Sequence, residues 1–203
     1  AEPEPAVLTS LEARGVVIER APVSALHGDG WQLESIALAD GRTLLLRPIQ
    51  PEDEPSLRSS FAKLNAEEVR LRFFAPLKSL SHGMAARFTQ LDYDREMALV
   101  LTDPGPAGTT DLYGVVRLHA DPDNERAEYA ILVRHDVTRR GLGTLLMERI
   151  LDYARSRGVG EVVGDVLREN SAMRALCKRL GFGETLSPED PTVVRVRLPL
   201  RPR

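Results

Sequence analysis

Two glycines, Gly141 and Gly143, stand either side of Leu142, directly after Thr138, Arg139 and Arg140 and directly before Thr144. Glycine lets a backbone approach a ligand with no Cβ in the way. The free N–H groups of a helix start point outward and carry partial positive charge. Arg139 and Arg140 add full charges. A glycine-containing, basic helix start of this kind is suited to seat a pyrophosphate. The alternative is an ordinary helix start with solvated arginines, and a short glycine motif does not by itself separate the two.

The elements on either side are those such a seat needs. Tyr129, Ile131 and Val133 alternate through an apolar run that ends at the basic turn, the pattern of a strand. Leu142, Leu145, Leu146, Ile150, Tyr153 and Ala154 recur on one broad face, the pattern of a helix packed on a sheet. Glu128 lies on that strand. Alternation puts it on the face of Ala130 and Leu132, an apolar setting, and away from Tyr129 and Ile131.

Upstream, Asp40-Gly41 predicts a hairpin between Ile36–Leu38 and Thr43–Leu46. Pro51 to Pro55 opens a helix carrying Leu57, Phe61 and Leu64. Residues 66–74 form a second short helix, and Ser81 caps a third that runs to Gln90. Met97 to Leu101 and Leu112 to Leu118 are strands, with Gly114 marking a bulge or close approach. Trp31, the only tryptophan, is expected to pack against the main domain.

The 203 residues suit one domain and an extension. A net charge of −3 sets up no basic field for nucleic acid. No apolar run approaches the length of a membrane span. The single cysteine, Cys177, leaves no disulfide framework, and no stretch resembles a signal peptide, so a reducing, cytoplasmic setting is expected. Nothing in the chemistry calls for a metal.

The basic turn resembles the acyl-CoA loop of the GNAT N-acyltransferase superfamily, (Gln/Arg)-x-x-Gly-x-(Gly/Ala), with Thr138 in place of the usual Gln or Arg. Glu169-Asn170-Ser171 and Leu180-Gly181-Phe182 resemble the second half of the same fold. The runs LRPIQPEDEP, RLRFFAPLKSLSH, FTQLDYDREMALV, DPDNERAEYAILV, GLGTLLMERIL and GDVLREN extend the likeness. From about Gly41 to Leu198 the chain is similar to the acetyltransferase domain of bacterial protein lysine acetyltransferases that act on acyl-CoA synthetases. Many of these carry a second, synthetase-like domain. The resemblance implies an α/β (α+β) fold: a mixed, mostly antiparallel sheet flanked by helices, with acetyl-CoA in the cleft where two central strands splay. It implies a GNAT domain over 41–203, with residues 1–40 an extension or a remnant of a fused partner.

What the resemblance implies for chemistry is direct transfer of acetyl from acetyl-CoA to a lysine. A lysine with its ordinary pKa of about 10.4 is protonated and cannot attack a thioester, so a base is required. Glu128 matches the family's catalytic glutamate in AE-(Tyr/Phe)-A. Asp123, Glu125 and Glu169 are second-line acids. Leu132 and Val133 are carried over as pantetheine contacts, Thr138, Arg139, Arg140, Gly141, Leu142, Gly143 and Thr144 as the phosphate seat, and Asn170 as a contact to the cofactor arm. Asn170 is equally suited to cap a helix. Cys177 stands where many members have a tyrosine that protonates the CoA thiolate.

Three readings are open at this point. One is a protein lysine acetyltransferase with an acyl-CoA synthetase as acceptor, binding neither nucleic acid nor membrane. One is an enzyme for a small amine or a protein N-terminus. One is an acetyl-CoA sensor without turnover. An acidic enclosed pocket would suit the small amine, and an open groove the protein.

Overall fold

Asp40 and Gly41 close a tight hairpin. The Gly41 backbone has φ of 84°, which a Cβ would disfavour, and Leu38 N–H donates to the Arg42 carbonyl at 2.8 Å. The computed structural model describes residues 16–20, 33–137 and 141–200. The hairpin joins β2 (Glu34–Leu38) to β3 (Thr43–Pro48), and β1 (Val16–Arg20) pairs with β2 on the far side. The boundary expected at residue 41 falls within this hairpin. The sheet takes in residues 16–20 and 34–38, and Ile36 and Leu38 bury their side chains in the main core.

Three short helices follow: α1 (Glu54–Ala62), α2 (Ala66–Phe73) and α3 (His82–Thr89). Asn65 and Ser81 cap α2 and α3 through their side chains. Helix α2 stops where Phe74 turns left-handed, at φ of 59°. Strands β4 (Glu96–Thr102), β5 (Leu112–Ala120) and β6 (Arg126–Val133) then form an antiparallel meander. A register shift falls between Leu101 and Thr102, opposite Tyr113 and next to Gly114. Next come α4 (Leu142–Ser156), β7 (Glu161–Leu167), α5 (Ser171–Arg179), β8 (Gly183–Leu186) and β9 (Val193–Pro199).

The strand order among the described residues is β1-β2-β3-β4-β5-β6-β7-β9-β8, with every neighbour pair antiparallel except β6 and β7. Alternation sends the two strand faces to two cores. Met97, Leu99, Leu101, Val116, Leu118, Ala127 and Tyr129 meet Leu142, Leu145, Leu146 and Ile150 of α4. On the other face, Ala98, Val100, Val115 and Leu132 meet Leu57, Phe61, Val69 and Ala85 from α1–α3. Strand β4 is apolar from Met97 to Leu101 because both its faces are covered.

Two buried ion pairs brace this frame. Arg47 of β3 donates to both oxygens of Asp53, at 2.6 and 2.8 Å, which fixes the start of α1. Arg149 of α4 donates to Glu34 of β2 at 2.8 Å, and both are almost fully buried.

Candidate active site

The parallel ladder between β6 and β7 is short. It runs through Arg126–Glu161, Ala127–Val162 and Glu128–Val163 and stops. Beyond it, residues 129–133 keep only β5 as a partner, and residues 164–167 keep only β9. The Tyr129 ring lies over Gly164 where the ladder ends, and a Cβ on Gly164 would run into that ring. The strands part there and open a cleft of about 640 Å³.

Glu128, Leu132, Val133, Gly143 and Asn170 line this cleft together. Five of the residues singled out from sequence are thus brought to one place. Gly141 opens α4 as its N-cap with φ of 82°, and its carbonyl accepts from Leu145 N–H at 3.0 Å. Leu142 is buried in the α4 core, so only its backbone can serve a ligand. Thr144 sits in the first turn of α4, where its hydroxyl accepts from Arg179 of α5 at 2.7 Å. Thr138, Arg139 and Arg140 lie outside the described residues, as does Trp31. Asn170 caps α5, its side-chain oxygen accepting from Met173 N–H at 3.0 Å.

The setting of Glu128 differs from the apolar one expected. Its side chain is exposed on the sheet face beside Arg126, at the point where the cleft meets a second cavity. Alternation assigned the face correctly, but α1–α3 do not cover that face at β7. The cleft wall above Glu128 comes from α2, the second short helix expected over residues 66–74. Arg72 is held there with its guanidinium over the Phe73 ring at 4.9 Å. Burial pulls the Arg72 pKa down, and the Glu128 carboxylate opposes that pull. Behind Arg72, burial and the like charge of Arg72 bring Arg117 down to about 10. Helix α2 is clasped across the cleft on both sides. Glu68 accepts from His135 N–H at 2.6 Å on the β6 side, and Arg70 pairs with Glu169 on the β7 side.

Glu169 is therefore a clasp residue, and neither it nor Asp123 nor Glu125 lines the cleft. Cys177 is buried, and its Sγ lies 3.1 Å from the Tyr129 hydroxyl. Burial raises both the Cys177 thiol and the Tyr129 phenol, so each holds its proton. A buried, protonated thiol outside the cleft lining is unsuited to accept an acyl group.

The cleft fits an acyl-CoA. Gly143 leaves room between Val133 and Leu176, whose nearest atoms would stand 3.9 and 3.8 Å from a Cβ. The start of α4 presents unsatisfied N–H groups at one end of the cleft. This fold and site define an acyltransferase of the splayed-strand type. Residues 43–183 match the acetyltransferase (GNAT) domain family, and the chain belongs to that family. Acetyl-CoA is accordingly its cosubstrate.

Among relatives, acetyltransferase PA5475 of Pseudomonas aeruginosa is 32% identical over 177 residues, 87% of this chain and 93% of that protein. The GNAT domain of S. lividans PAT superposes with a TM-score of 0.73 at 31% identity, covering 82% of this chain and 96% of that domain. Acetyltransferase Pat of Mycolicibacterium smegmatis is 27% identical over 147 residues. The match covers 72% of this chain but 43% of Pat, so less than half of that longer relative is represented.

Proposed function

We propose that the chain is a protein lysine N-acetyltransferase acting in the cytoplasm, with an acyl-CoA synthetase as acceptor. The observation that supports this reading most is the place of Glu128. It stands where the cleft between β6 and β7 meets an open, charged groove on β6, β7 and β9. An open polar groove suits a polypeptide acceptor better than a small amine, which an enclosed pocket would hold. Likeness to the Pat proteins points the same way. Among the described residues no helix is long and apolar enough to cross a membrane.

In this reading the acceptor lysine reaches Glu128 from the groove. Glu128 takes one proton from the ammonium, directly or through water, and the free amine attacks the thioester carbonyl. A carbon–nitrogen bond forms and the carbon–sulfur bond breaks. The CoA thiolate leaves and is protonated by solvent or by the lysine proton passed on. Leu132, Val133 and Asn170 hold the pantetheine arm, and Gly141, Gly143 and Thr144 hold the phosphates with Thr138, Arg139 and Arg140.

The test is transfer of labelled acetyl from acetyl-CoA to a purified acyl-CoA synthetase, with Glu128→Gln as control. Label on one lysine is expected, with kcat lower by about 10²–10⁴-fold in the variant and acetyl-CoA affinity unchanged. Release of CoA only with small amines would move the activity to that class. Tight acetyl-CoA binding with no transfer would make the chain a sensor.

A further inference from the structure

On the sheet face that carries α1–α3, the helices make their apolar contacts with β4, β5 and Leu132 and stop short of β7 and β9. The side chains left in the open are charged. Register puts Arg126 and Glu128 of β6, Glu161 and Asp165 of β7, and Arg195 and Arg197 of β9 on this one face. All of these but Glu161 line a groove of about 640 Å³, and Glu128 lines both it and the cleft.

Most charges there are closed among themselves. Arg195 pairs with Asp165 at 2.9 Å, and Arg174 pairs with Glu184 at 2.6 Å. Glu161 is different, because two guanidiniums share it. Arg126 donates from Nε at 2.8 Å, and Arg197 donates from Nε to the other oxygen. The Glu161 side chain is only 10% exposed, whereas Arg126 and Arg197 are 62% and 58% exposed. Burial works against ionisation of Glu161, but the two arginines hold its carboxyl below the usual range. The carboxylate is thus a buried anchor, and two positive charges share one negative. The outer edges of both guanidiniums face the groove with one positive charge in excess. At the other end Glu128 makes no ion pair among the described residues.

We propose that this groove binds the acceptor polypeptide in extended form, and that Arg126 and Arg197 read a carboxylate side chain two residues from the acceptor lysine. Arg126 lies two positions from Glu128 on one strand, about 6.6 Å along it. An extended peptide spaces its same-side side chains by the same step, so a lysine at Glu128 sets the second side chain over the arginine pair. Guanidinium forks with pre-anchored Nε suit a carboxylate, since their free edges donate two parallel hydrogen bonds. The inference rests on the lysine acetyltransferase reading.

The test uses acetyl-CoA and short lysine peptides that differ only two positions from the lysine, on either side, by Asp, Ala or Arg. At low salt kcat/KM is expected to be about five-fold higher for the Asp peptide than for the Ala peptide, carried by KM. The difference shrinks as salt rises. Arg197→Gln flattens the series, and Arg126→Glu with Arg197→Glu turns the preference toward the Arg peptide. A series with no charge preference in the unaltered protein overturns the proposal while leaving lysine acetylation standing. Failure to acetylate any lysine peptide, with acetyl-CoA binding retained, overturns both.

Discussion

Gly143 occupies the second position of α4, where a substituent would project between Val133 and Leu176 at ordinary contact distance. Its backbone does not need the left-handed region, so the fold itself tolerates a side chain there. Gly143→Asp is therefore expected to melt with the unaltered protein yet lose acetyl-CoA binding, because it adds bulk and negative charge at the proposed phosphate seat. Calorimetric titration with CoA checks this, with Gly143→Ala as the uncharged control. Full binding by the Asp variant would place the phosphates away from the start of α4. The glycines were legible in sequence from their spacing directly after a basic run. The role of Cys177 was not. Its contact with Tyr129 joins residues 48 apart in the chain and depends on how α5 lies against β6.

At the scale of elements, α4 carries a carboxyl that the fold holds against its preference. Glu148 is half-buried one turn beyond Thr144, and its Oε2 has no hydrogen-bond partner among the described residues. Burial pushes it up to about 7 from an ordinary 4.5, against the pull of Arg149. The folded state thus favours the neutral form. The associated stability is fully present below about pH 4.5 and is lost as pH rises through about 7. Glu148→Gln removes that loss. Its melting temperature is expected to exceed that of the unaltered protein by about 1–3 °C at pH 8, after allowance for solvent screening, and to match it near pH 5. A gap that does not change with pH would assign the effect to packing instead. Periodicity revealed α4 and its buried face, but Glu148 falls just off that face, where sequence alone leaves exposure open.

For the whole molecule, β1 and β2 belong to the same sheet as the site. Glu34, Ile36 and Leu38 are buried, and Glu34 neutralises Arg149 inside the helix–sheet interface. Deleting residues 1–40 removes β1 and β2 and leaves Arg149 as a buried, unpaired charge, which costs about 3–5 kcal/mol before the lost apolar contacts are counted. A fall in melting temperature of at least about 6 °C is expected. Glu34→Gln, which keeps both strands, should reproduce a large part of it. Unchanged melting of the truncated chain would make the segment a separate extension.

What the sequence determined by itself is what depends on neighbours a few residues apart. The β2–β3 hairpin follows from Asp40-Gly41, the caps from Ser81 and Asn170, the strand face of Glu128 from alternation, and the start of α4 from Gly141. The resemblance of the motifs then supplied the family and the cleft. Tertiary structure alone decided what depends on residues far apart in the chain. It set the end of the β6–β7 ladder at Glu128, the roof of α2 with Arg72 over the cleft, and the sharing of Glu161 by Arg126 and Arg197. It also left the sheet bare at β7 and β9, so that Glu128 stands in the open. These are outcomes of how layers cover one another, and coverage is a property of three-dimensional packing that no local pattern of residue types encodes.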